Sequence, residues 1–112
     1  MKSRLKLIVN NNFYRKEKFF VKKELQSILN LYEKKVSDGD WKDYGLTISS
    51  KQVEFSVFKN AAENAIYKIC KNFKPISQNL KYMITDSKSK VLKNSNNLEN
   101  LLKNTNWKKL QK

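Results

Sequence analysis

Two periodicities divide the chain. Val21, Leu25, Ile28, Leu29, Tyr32 and Val36 recur three or four residues apart, or in multiples of that spacing. This is the apolar stripe of an amphipathic helix. Lys22, Lys23, Gln26, Lys34 and Lys35 fill the other positions, which predicts a basic outer face. No Ser, Thr, Asp or Asn stands directly before Lys22, so the helix start lacks a conventional side-chain cap. Its end is better marked, because Ser37-Asp38-Gly39 supplies a glycine for a left-handed C-terminal turn.

Beyond Asp38 the period shortens to two. Tyr44, Leu46 and Ile48 alternate with Gly45, Thr47 and Ser49, and Val53, Phe55 and Val57 alternate with Glu54, Ser56 and Phe58. Each run predicts a strand with one apolar face. Ser49-Ser50-Lys51-Gln52 is short enough to join them as an antiparallel hairpin. A third run, Ala65 to Cys70, is apolar on both faces, which suits an inner strand. Leu80, Tyr82 and Ile84 predict a fourth, and Val91-Leu92 is at most a short fifth. Near the end, Asn96 with Glu99 approximates a capping box ahead of Leu98, Leu101 and Leu102, the apolar side of a short helix. The expected fold class is α+β: an N-terminal amphipathic helix on a small antiparallel meander of about four strands, with a short C-terminal helix. Residues 1–18 are expected to form a basic arm, ordered at most in part, and 19–112 one compact domain.

Charge changes this picture most. The 112 residues carry 24 Lys+Arg against 10 Asp+Glu, a net +14. A surface of that sign attracts phosphate backbones, and Lys22, Lys23, Lys34, Lys35, Lys108 and Lys109 are the candidate contacts. A compositional reading stands beside it. Only Arg4 and Arg15 are arginines, and asparagine is abundant, so A+T-rich codons could supply the lysines without a binding role. The preference for Lys also argues against base reading, which favours the planar fork of Arg.

Catalytic chemistry is poorly provided for. There is no His, Cys70 is the single cysteine, and Gly39 and Gly45 are the only glycines. Cys70 therefore has no imidazole base and no disulfide partner, and a small packing role is expected for it. No phosphate-binding glycine loop can be built. Asp38, Asp40 and Asp43 do not have the spacing of a calcium loop, and turn hydrogen bonds or pairing with Lys35 or Lys42 account for them. Trp41, between them, is expected to lie as a lid on the edge of the core. The apolar run Leu7-Ile8-Val9 is far too short to cross a bilayer. These features predict a cytoplasmic, non-enzymatic binding protein without cofactor, metal or small-molecule substrate.

Its partner is expected to be RNA or DNA, with sheet aromatics available for base stacking beside the lysines. Phe55-Ser56-Val57-Phe58 lacks the Lys/Arg-Gly-Phe/Tyr pattern of the common RNA-stacking sheet. The alternative is a protein-interaction module, with Trp41, Tyr44 or Phe58 in an exposed aromatic patch and a charge that only reflects codon bias.

Three segments taken together resemble a known family. They are Lys23-Glu24-Leu25 leading to Ile28-Leu29-Asn30-Leu31-Tyr32, then Gly39-Asp40-Trp41-Lys42-Asp43-Tyr44, then Phe55-Ser56-Val57-Phe58 with Ile66-Tyr67-Lys68-Ile69. Over about Phe19 to Leu102 the chain is similar to an uncharacterised family of short alphaproteobacterial proteins, a domain of unknown function. The resemblance implies a compact domain. It also implies that Arg often replaces Lys22, Lys42 and Lys59 in relatives, and that an acidic residue near Val21 caps their helix. It implies no activity, ligand or catalytic residue.

Overall fold

The computed structural model describes residues 18–60 and 64–110. The basic arm expected over 1–18 lies outside this range apart from Lys18. Helix α1 spans Lys22–Ser37, followed by β1 (Asp43–Ile48), β2 (Gln52–Phe58) and β3 (Tyr67–Asn72). A 3-10 turn at Gln78–Leu80 leads into β4 (Tyr82–Thr85) and β5 (Val91–Ser95), and the chain closes with α2 (Leu98–Asn104) and α3 (Trp107–Leu110).

The helical stripe is inward as its spacing requires. Ile28 and Tyr32 are buried, and Leu25, Leu29 and Val36 pack partly against the same core. Val21 does not share that burial. It is the extended N-cap residue and faces out, while Phe19 and Phe20 are buried just before it. The missing cap comes from within the helix: Glu24 accepts a hydrogen bond from the Val21 N–H at 2.8 Å, one half of a capping box. At the other end Gly39 takes φ +85° and its N–H donates to Val36 O at 3.0 Å. A Cβ there would be strained.

The strands lie in the order β1-β2-β3-β4-β5, every neighbour antiparallel, in one uninterrupted meander. Five strands replace the expected four or so. The candidate fifth at Val91-Leu92 is real and runs on to Ser95 as an edge strand with exposed Val91, Lys93 and Asn94. Its ladder to β4, not an apolar rhythm, holds it in place. Two further expectations shift slightly. Leu80 sits in the 3-10 turn instead of β4, with its carbonyl held by Asn72 Nδ2 at 2.6 Å. The cap of α2 is Asn97, not Asn96: its Oδ1 accepts from the Asn100 N–H at 2.9 Å.

Register aligns the apolar positions into rows across the sheet. Leu46, Phe55, Ile69 and Ile84 form one row, and Tyr44, Val57 and Tyr67 another. Helix α1 packs on this face through Tyr32, whose ring lies 5.9 Å from Phe55 and 4.9 Å from Tyr44. Helix α3 joins it through Trp107, 5.3 Å from Tyr67. Trp41 fills the seam between them, 6.3 Å from Tyr32 and 5.3 Å from Trp107. It is 1% exposed, so it is core and not the edge lid its sequence context suggested. The cause is α3, which closes over it from far along the chain. The opposite sheet face is more polar, with Thr47, Glu54, Ser56, Lys68, Cys70 and Thr85 sharing it by register with Phe58 and Met83.

Candidate functional site

The six candidate lysines fall into three places. Lys22 and Lys23 are exposed on the first turn of α1, and Lys34 is exposed on its last. Lys108 and Lys109 are exposed on α3. Lys35 differs. Its side chain is 12% exposed and lies 3.7 Å from Asp40. After Gly39 the chain folds back on the helix, and the N–H groups of Asp40 and Trp41 donate to Lys35 O at 2.9 and 3.3 Å. This turn brings the Asp40 carboxylate beside Lys35 and removes that lysine from the outer basic face. The other five form no ion pair among the described residues. Lys22 and Lys23 stand about 18 Å from Lys34 along the helix.

Among the described residues most of the sheet aromatics expected beside them are covered, while Phe58 lies half-buried on the other face. Tyr44, Phe55, Tyr67 and Tyr82 belong to the sheet face that the helices cover, and Phe55 is fully buried. Base stacking on the sheet is therefore excluded for these rings. Trp41 and Tyr44 are likewise unavailable to an exposed protein-binding patch, since they pack against Tyr32.

The most developed polar cluster was not anticipated. Lys71 shares the inward parity of Tyr67 and Ile69, and β3 carries it beneath the start of α1. Its ammonium donates to Phe19 O at 3.0 Å and to Glu24 Oε1 at 2.9 Å. Tyr82, its cross-strand neighbour on β4, donates its hydroxyl to Glu24 Oε2. Burial pushes the Glu24 carboxyl upward. The hydrogen bonds from Tyr82, Lys71 and the Val21 N–H, with the Lys71 charge, outweigh it and hold the carboxyl below its ordinary value. Burial, and then hydrogen bonding to Glu24, push the Tyr82 phenol above its own. The Lys71 and Glu24 charges are matched and the Tyr82 hydroxyl is used, so the cluster is a clamp between α1, β3 and β4.

Cys70 is 1% exposed on the opposite face. Burial and the Glu54 carboxylate raise its thiol to about 12, against smaller opposing contributions from Thr85 and Lys68. Such a thiol is protonated and a poor nucleophile at neutral pH. Among the described residues no group of three or more Cys, Asp or Glu side chains converges as a metal site. Asp40 pairs with Lys35, and Asp43 accepts from the Tyr44 N–H at 2.8 Å. A cleft of about 690 Å³ lies between the β1–β2 turn and the loop after β3, with Lys51, Gln52, Asn72, Lys74, Ile76 and Leu80 on its walls. It is lined by two cations, Lys51 and Lys74, and by Ser49 and Ser50, with no carboxylate.

Residues 18–102 match a family described as "Protein of unknown function (DUF2794)". The chain belongs to this family. The matched segment contains α1, the whole sheet and the Glu24–Lys71–Tyr82 clamp, and ends before Lys108 and Lys109 on α3. No curated protein and no solved structure matches the chain. No helix among the described residues is long and apolar enough to cross a membrane. Nothing in the family description or the geometry points to catalysis.

Proposed function

We propose that this family member is a non-enzymatic binder of RNA or DNA phosphate, acting through Lys22, Lys23 and Lys34 of α1 and Lys108 and Lys109 of α3. The supporting observation is that these five cations are exposed and lack a carboxylate partner among the described residues. Lys22 and Lys23 also add to the positive end of the helix dipole instead of neutralising it, which costs stability and strengthens attraction for anions. Lys35 drops out of the set because Asp40 neutralises it. With the sheet aromatics covered, the contact is to phosphate and carries no sequence preference. Lysine, a hydrated point charge on a flexible stem, suits that task.

The test is a salt titration of binding to a mixed-sequence single strand and duplex. With roughly four phosphates neutralised, raising salt from about 50 to about 200 mM weakens binding by about 50- to 150-fold. Exchanging Lys22, Lys23 and Lys34 together for Glu lowers both the affinity and the salt slope. Absence of binding at the lower salt removes nucleic acid as the partner. A slope unchanged in the triple variant moves the contact off α1.

A further inference from the structure

The two edges of the sheet are treated differently. On β5 the ladder is broken by a register shift between Ile84 and Thr85, and Lys93 projects from the exposed strand. A bulge and an edge lysine are common guards against pairing with another chain. On β1, from Asp43 to Ile48, the register to β2 is unbroken and contains neither Lys nor Pro.

The phase of hydrogen bonding shows what that edge offers. The Ser49 N–H donates to Gln52 O at 2.9 Å, so the odd-numbered residues of β1 bond to β2. In an antiparallel ladder the residues between them turn N–H and C=O the other way. Tyr44, Leu46 and Ile48 therefore point their backbone groups out of the sheet. The Tyr44 N–H is already taken by the Asp43 carboxylate. Among the described residues nothing bonds the outward groups of Leu46 and Ile48, and Ile48 is 40% exposed.

We infer that β1 is a docking edge that accepts an extended segment of another protein as a sixth strand, and that this segment has an apolar centre and acidic ends. Strand addition supplies the main-chain affinity, and alternate side chains supply the selection. The apolar centre meets Leu46 and Ile48. The acidic ends meet Lys42, exposed just before β1, and Lys51, exposed in the turn after it. The same charge disfavours a second copy as the occupant, because pairing β1 with itself brings two chains of net +14 together. This inference rests on the β1 edge and is independent of the phosphate-binding reading.

The test uses the full chain and the synthetic peptide Asp-Glu-Val-Thr-Ile-Thr-Val-Glu-Asp, followed by amide hydrogen exchange and chemical shifts. The Leu46 and Ile48 amides shift and exchange at least about tenfold more slowly with peptide bound, as new hydrogen bonds require. Ile48→Pro removes an outward N–H without touching the ladder to β2, and Ile48→Lys installs the guard that β5 carries. Each weakens peptide binding by about tenfold or more. The Ile48→Lys result also covers the case in which the proline variant fails to fold. Unchanged Leu46 and Ile48 amides at saturating peptide overturn the inference. Equal binding of a peptide with Lys in place of its acidic ends overturns the charge assignment. Self-association of the free protein that Ile48→Lys abolishes assigns the edge to a second copy and overturns it likewise.

Discussion

Lys71 of β3 reaches Glu24 of α1 at 2.9 Å, and both side chains are largely withdrawn from water. Desolvation of two such charges offsets most of their attraction, so a buried pair is weak evidence of net stabilisation. Removing one partner is another matter, because the survivor is left buried and unmatched. Here the survivor would also lie at the junction that fixes the start of α1 to the sheet.

Lys71→Met and Glu24→Gln should each lower unfolding free energy by about 3 kcal/mol or more, with Lys71→Met the costlier because it strands a carboxylate. The double variant should lose less than the sum of the two, as expected for residues in direct contact. Urea unfolding of the four proteins measures the coupling. Additive losses would show that the pair does not act as a unit.

Stability should fall with acid as Glu24 is protonated. Its folded carboxyl is held below the ordinary 4.5, so the folded state binds the proton less readily than the unfolded chain. The contribution is complete above that value and disappears as pH falls through the lower folded one. At alkaline pH the sign reverses. Tyr67, Tyr82 and Cys70 are all raised, so the unfolded chain loses their protons first and stability falls as pH rises above the ordinary 9.0 of the thiol. Thermal melts against pH should show a plateau between these limits, and Glu24→Gln should flatten its acid side and, by removing the carboxylate that helps raise Tyr82, soften its alkaline side.

Phe55 is fully buried, with its ring stacked 4.9 Å from Tyr44 and edge-on to Tyr32. Phe55→Ala should cost about 3–5 kcal/mol by opening a cavity between helix and sheet. That is a large share of the roughly 5–15 kcal/mol typical of a domain. A variant that melts with the parent would contradict the packing.

Cys70 should react with iodoacetamide far more slowly in the folded protein than in urea, because its thiol is both buried and raised to about 12. Cys70→Ala should leave nucleic-acid binding unchanged. Rapid labelling at neutral pH, followed by mass spectrometry, would reveal an activated thiol instead.

The sequence alone determined the local elements and their order. A stripe from Leu25 to Val36 can bury itself only as a helix, and Val53, Phe55 and Val57 share a face only in an extended chain. The two-sided apolar pattern around Ile69 placed β3 inside the sheet, where it is the central strand. Tertiary structure decided which charges stay free. Lys71 meets Glu24 across 47 positions, and Tyr82 reaches it across 58. No local periodicity encodes such a contact, although the inward parity of Lys71 marks a charge that needs a partner. The sequence left the acidic turn to pair with Lys35 or Lys42, and the fold-back at Gly39 decided for Lys35 by bringing Asp40 to its side. Trp41 gave no sign in its acidic surroundings that Trp107 would close over it. Periodicity reports how one segment divides core from solvent. The pairing of distant side chains is set by how segments stack, and that depends on the register and packing of the whole sheet.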